Sequence, residues 1–161
     1  MPSMYVPPVP YNDAALRASI LVVDDRVDQL EVKAYWTVAL IDTSTHVRLG
    51  FYKGLDMKPI VPAVVAGLPV TAMDSSAFDS SNVTLLGLKT VTFPASMAYL
   101  GRYCFYGNSQ LTGLYFEGNA PTVHGQWKYS IPAGVKIYKH AGAEDFGDVG
   151  DDWNGLEVAE W

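Results

Sequence analysis

The pattern L-x-x-(L/V)-x-F occurs twice, as "LKTVTF" at 88–93 and "LTGLYF" at 111–116, and the step of 23 residues between them constrains the fold more than any other feature. Periods of this length belong to solenoids, whose units cannot bury an apolar face alone and must stack on a neighbour. A second pair accompanies the first: "MDSSAF" at 73–78 matches "LGRYCF" at 100–105, offset by 27, with the four extra residues in the loop "SSNVTLLG". Val61 and Pro62 echo Phe93 and Pro94. Within each hexapeptide the alternation places Val91 and Phe93, or Leu114 and Phe116, on one side of a short strand and Thr92 or Tyr115 on the other. Ala77 and Phe78, like Cys104 and Phe105, are expected to fill the core at an intervening turn or short helix. Cys104 then occupies a small apolar slot and is a structural thiol, not a nucleophile.

Two full units are fewer than the three or so a solenoid needs, so the ends require caps. Residues 34–52, "AYWTVALIDTSTHVRLGFY", alternate on both sides of "DTST" and read as a β-hairpin with Trp36, Val38 and Leu40 on one face, placed to cover the first unit. "GVKIYK" at 134–139, with Trp153 and Trp161, is expected to close the last unit. Between hairpin and repeats, "KGLDMKP" carries Gly54 and Pro59 and reads as a domain seam.

The first ten residues hold Pro2, Pro7, Pro8 and Pro10 around Tyr5, a composition that fits either an extended arm that docks on a neighbour or a disordered leader. From the N-capping candidates Asn12 and Asp13, the residues Leu16, Ile20, Val23, Val27 and Leu30 follow at spacings of 4, 3, 4 and 3. With this stripe as a heptad seam, Arg26 falls at g and Glu31 at e, an opposite-charge pair between parallel chains. Two readings fit the stripe: association of sister chains, as trimer or dimer, and an amphipathic helix packed on its own domain.

Composition removes several function classes. The 161 residues carry a net charge of -6, against the concentrated positive surface that nucleic acid demands. The single cysteine forms no intrachain disulfide, and apolar runs such as "ILVV" at 20–23 are too short to span a bilayer or act as a secretory leader. His46, His124 and His140 lack ligand spacing, and the acidic run "EDFGDVGDDWNG" at 144–155 lacks the ligand rhythm of a calcium loop. No nucleophile elbow, phosphate-binding loop or dinucleotide fingerprint occurs, so the expectation is no enzyme, no metal and no cofactor. Tyr99, Tyr103, Tyr106, Tyr115, Tyr129, Tyr138 and Trp127 remain as surface aromatics of the repeat half. Among them Tyr99, Tyr103 and Tyr115 are the candidates for stacking on a sugar ring or a host protein, with plain core and surface filling as the competing role.

"GLPVTAMDSSAF", "LKTVTFPASMAYLGRYCFYGNSQLTGLYFEGNAPTV" and the closing "VKIYKHAG" to "GLEVAEW" resemble the BspA-type leucine-rich repeats of bacterial and viral proteins. That pattern runs I-P-x-x-(I/V)-x-x-I-G-x-x-A-F-x-G-C-x-x-L-x-x-(V/I), with a capping strand and a terminal Trp. Tyr103-Cys104, Asn108 and Asp74 depart from it at packing positions. "YNDAALRASILVVDDRVDQLE" is similar to the openings of phage fibre and head-appendage proteins, where a short helix gathers chains into a trimer. The resemblances imply an α+β, mostly β chain in four parts. These are a docking arm at 1–12, a coiled-coil oligomerisation helix at 13–33, a β-hairpin cap and connector at 34–57, and a short capped leucine-rich-repeat solenoid at 58–161. They further imply a structural virion protein of a tailed bacteriophage, made in the host cytoplasm and displayed on the capsid surface as a homotrimeric head fibre, knob or decoration protein. Its expected partners are sister chains, a capsid or other virion protein held through the arm, and a host-surface glycan or protein, with neither nucleic acid nor membrane. A tail-fibre receptor-binding tip and a bacterial surface adhesin or protein-binding module are the alternatives.

Overall fold

A computed structural model describes residues 35–41, 45–81 and 87–161. The docking arm with Pro2, Tyr5, Pro7, Pro8 and Pro10 lies outside the described residues, as do the seam residues Leu16, Ile20, Val23, Val27 and Leu30 and the pair Arg26 and Glu31. The described chain forms β1 (Trp36–Ile41), β2 (His46–Tyr52), β3 (Val64–Val65), β4 (Leu68–Met73), β5 (Thr90–Phe93) and β6 (Tyr99–Leu100). It continues through β7 (Gly113–Phe116), β8 (Thr122–Val123), β9 (Lys136–Lys139), β10 (Asp152–Trp153) and β11 (Leu156–Glu160).

From β4 to β9 successive strands fall alternately on two sheets, one ordered β1-β2-β4-β6-β8 with β3 beside β4, the other β10-β11-β9-β7-β5. Pairs along the winding direction are parallel, whereas β1–β2 and β10–β11 are antiparallel hairpins at opposite ends. The described residues are therefore a β-solenoid, each coil crossing from the first sheet to the second around a corner turn.

The register carries the repeat seen in the sequence. In the second sheet Thr90 pairs with Gly113 and Gly113 with Lys136, each a step of 23, while in the first sheet Ala72 pairs with Tyr99, a step of 27. "GVKIYK" is thus a third rung of the solenoid, in register with the other two. It escapes the pattern because Gly134 stands where Leu88 and Leu111 stand, and Lys139 where Phe93 and Phe116 stand; Val135 is the buried residue there instead.

The expectation of an α+β chain is overturned: the elements of the described residues are strands alone, with no helix. The corners at 75–78 and 102–107, where a short helix was one expectation, are turns. Their backbone donors reach the next coil instead of the preceding helical turn: Ser76 N–H donates to Arg102 O at 2.8 Å and Phe78 N–H to Cys104 O at 2.8 Å. Ser76 and Tyr103 adopt φ of 58° and 53°, which a right-handed helix does not admit.

Between the sheets the inward rungs stack like on like. Val91, Leu114, Ile137 and Val158 are adjacent in the ladder and fully buried; each such side chain contributes about 1.5–3 kcal/mol relative to exposure. Two aromatic columns run beside them. One passes from Trp36 to Phe78, Phe105 and Trp127 at centroid distances of 5.2, 5.5 and 6.1 Å; the other pairs Phe93 with Phe116 at 4.9 Å. Both meet Trp153, 5.4 Å from Trp127 and 6.1 Å from Phe116. Asn108, buried in the corner after Gly107, donates through Nδ2 to Phe78 O of the preceding coil and to Phe105 O, tying two coils together.

Candidate functional site: the outer face of the second sheet

Strand alternation that sends Val91, Leu114 and Ile137 inward sends Thr92, Tyr115 and Tyr138 outward, and because the rungs are in register these become neighbours. Tyr115 and Tyr138 pair directly across β7 and β9, and their rings stack at 4.4 Å with an interplanar angle of 7°. Trp161, which follows β11, meets Tyr115 edge-on at 5.3 Å, and His140 lies 6.2 Å from the same indole. The rings lean over Gly113: a Cβ at that position would stand 2.8 Å from Cε2 of Tyr138 and 3.3 Å from Cε2 of Tyr115. Glycine is what lets the aromatic pair lie flat against the sheet.

Beside the rings, Lys136 Nζ donates to Glu157 Oε1 at 2.7 Å across adjacent strands. That contact holds the lysine pKa above its ordinary value, chiefly through the hydrogen bond and then through the carboxylate charge. The lysine charge is thus paired, and Asp152 lies opposite Glu157 across β10 and β11 as a further carboxylate beside the pair. Burial, followed by the neighbouring Tyr138, raises the Tyr115 pKa, so its phenol stays protonated and remains a neutral donor and acceptor. The assembly is amphipathic, with the hydroxyls of Tyr115 and Tyr138 and the threonines Thr90 and Thr92 on the same face.

The structure separates the three tyrosines that the sequence singled out. Tyr115 is in this face. Tyr99 lies on β6 of the other sheet, between Ala72 and Thr122. Tyr103 belongs to a corner cluster with Tyr106 and Tyr129, at 6.1 and 5.3 Å, where the Arg102 guanidinium covers the Tyr103 ring at 4.3 Å. Trp127, grouped with the surface aromatics by composition, is a core residue at 2% exposure. Its signal was the period itself, since it stands 23 residues after Cys104. Trp161, expected to close the core, is half exposed and belongs to the aromatic face; Gly113 and the Lys136–Glu157 pair carried no motif that would have flagged them.

Cys104 is fully buried, and desolvation pushes its thiol far above the ordinary range, which leaves it without nucleophilic character at neutral pH. Among the described residues no three His, Cys, Asp or Glu side chains converge as a metal-binding group. The acidic run is organised by its own backbone: Asp151 Oδ2 accepts from Asp148 N–H at 2.8 Å, and Lys139 Nζ donates to Gly147 O at 2.7 Å.

No family model matches the chain, and no curated protein matches it. Two solved structures are similar. One is a leucine-rich repeat protein of T. pallidum, at 18% identity and a TM-score of 0.44, covering 66% of this chain and 41% of that one. The other is a leucine-rich cell surface protein of Faecalibacterium prausnitzii, at 16% identity and a TM-score of 0.45, covering 78% of this chain and 30% of that one. The chain spans less than half the length of either.

Proposed function

We propose that this chain is a non-enzymatic, surface-displayed binding module whose outer second-sheet face takes a neutral saccharide. The observation that carries the reading is the stacked Tyr115–Tyr138 pair lying over Gly113 with Trp161 at its edge. Rings already held in place lose little freedom on binding, and their amphipathic character suits the apolar faces and hydroxyl rims of sugar rings. The Lys136 charge is already partnered by Glu157, with Asp152 beside it, which disfavours an anionic ligand. A bacterial surface module is the reading that a short repeat domain with such a face supports. The fuller expectation, a trimeric phage head fibre, takes its docking arm and its trimerising helix from residues 1–33, which lie outside the described residues.

Calorimetric titration with a panel of neutral and acidic oligosaccharides tests the reading. Neutral members are expected to bind, and Tyr138→Ser to weaken them roughly tenfold, the loss of one well-placed aromatic contact. Affinity unchanged by that substitution, or binding confined to acidic members, overturns it.

A further inference from the structure

The corner turns at 102–107 and 125–130 belong to successive coils and lie side by side, with Tyr103 N–H donating to Gln126 O at 3.1 Å across them. Each is anchored by a buried ring, Phe105 in one and Trp127 in the other, so the scaffold beneath them is packed. Their outer surface gathers three tyrosines. Tyr129 lies 5.3 Å from Tyr103 and stacks on Tyr106 at 6.0 Å and 9°, yet Tyr129 remains 56% exposed and Tyr106 39%.

Two features of this cluster go beyond what packing asks for. One coil earlier the corner takes its left-handed residue as a serine, Ser76 at φ 58°; Tyr103 fills the equivalent place at φ 53° with a large aromatic side chain, which rarely adopts that conformation. The Tyr103 ring meets Arg102, Tyr106 and Tyr129 instead of the core. Strained backbone of this kind concentrates at functional sites. The second feature is Arg102. Its guanidinium lies 4.3 Å over the Tyr103 ring and donates through Nη2 to the Tyr103 hydroxyl at 2.8 Å, and it forms no ion pair among the described residues. The carboxylates of the preceding corner are already engaged, Asp74 by Arg48 at 3.7 Å and Asp79 by the N–H and hydroxyl of Ser81 at 2.8 and 2.6 Å. A guanidinium held on a ring with its other N–H groups open is a preset fork for a carboxylate.

We propose that this corner is a second binding surface, for a protein partner that sets an exposed carboxylate into the Arg102 fork and lays apolar side chains across Tyr106 and Tyr129. Tyrosine and arginine carry much of the affinity at protein interfaces. Here they stand among Gly107, Ser109 and Ser130, the mixture that antibody loops use. That composition favours a protein over an acidic saccharide, whose carboxylate would use the same fork.

A library of random peptides displayed on yeast and selected against the full chain tests the proposal. Each selected peptide is titrated against the parent and against Arg102→Gln and Tyr129→Ser, both exposed positions whose substitution leaves the core in place. The expected result is a set enriched in Asp and Glu, most of whose members bind either variant at least about tenfold more weakly and bind Tyr138→Ser as they bind the parent. An empty selection overturns the proposal, and so do peptides without acidic enrichment or peptides that bind both variants as tightly as the parent. Oligogalacturonate is titrated in parallel. If it binds and is lost in the two variants while the peptides are not, the corner belongs to an acidic saccharide and the proposal fails.

Discussion

The two ends of the solenoid carry the same device, an antiparallel hairpin, and use it on different sheets. β10–β11 extends the second sheet, with β11 parallel to β9, and brings Trp153 inward onto both aromatic columns. β1–β2 extends the first sheet, with β2 parallel to β4, and brings Trp36 inward onto Tyr52 and Phe78 alone. Among the described residues the second sheet at that end has no full strand beyond β5. There it has the bridge Ile60 to Thr92 and the hydrogen bonds Val61 N–H to Thr92 O and Thr92 N–H to Pro59 O. One hairpin therefore finishes its end and the other finishes half of it. An indole that reaches both columns closes a solenoid; one that reaches a single column leaves the opposite edge apolar and open.

Replacing the two indoles is the sharpest way to break this comparison. Trp153→Ala is expected to cost about 3–5 kcal/mol, the usual range for emptying a large buried aromatic site, because Phe116, Phe146 and Trp127 all lose a partner. Trp36→Ala is expected to fall at the low end of that range, since two rings are affected. Thermal or urea denaturation of both variants measures the difference, and equal costs would mean that the ends are closed alike. Asn108→Ala, between the ends, is expected to cost about 1–3 kcal/mol by the same measurement, because Phe78 O of the preceding coil loses its side-chain donor.

A smaller effect comes from Cys104. Its folded-state pKa is raised by burial, so its contribution is complete below the ordinary thiol pKa and lost as pH rises above it, where the unfolded chain ionises and the folded one does not. Stability is expected to decline above about pH 9, and Cys104→Ala to flatten that part of the profile. The smallest effect is expected from Lys136→Met, which breaks an exposed pair next to the closed end: its midpoint is expected to match that of the parent, because surface ion pairs contribute little. A clear loss would mean that charge, and not the indole, helps close that end.

Much of this architecture was legible in the residues, and the failures have physical causes. The 23-residue step fixed the register of β5 against β7, and alternation around "DTST" identified the β1–β2 hairpin. The third rung was hidden because a strand near a solenoid end tolerates Gly134 and Lys139 where inner coils need Leu and Phe. Corner turns were read as possible helices because Ala-Phe and Cys-Phe suit either; what decides against a helix is the hydrogen bonding of Ser76 and Phe78 to a coil distant in sequence, which no local pattern encodes. For the aromatic face, Tyr115 was visible from its place in the hexapeptide. Its partner Tyr138 was visible only as a surface residue, because the stack depends on a register that needs the unseen third rung. Trp161 was read as core because a terminal indole in a capping strand is usually buried.

Gly113→Ala tests the aromatic face most directly, since the added methyl displaces the Tyr138 ring without entering the core. Titrated with the neutral oligosaccharide that the parent protein binds best, this variant is expected to bind roughly tenfold more weakly while its thermal midpoint stays within a few degrees of the parent's, about 1 kcal/mol or less. A variant that binds as tightly as the parent, or a parent that binds no neutral saccharide, would contradict the account.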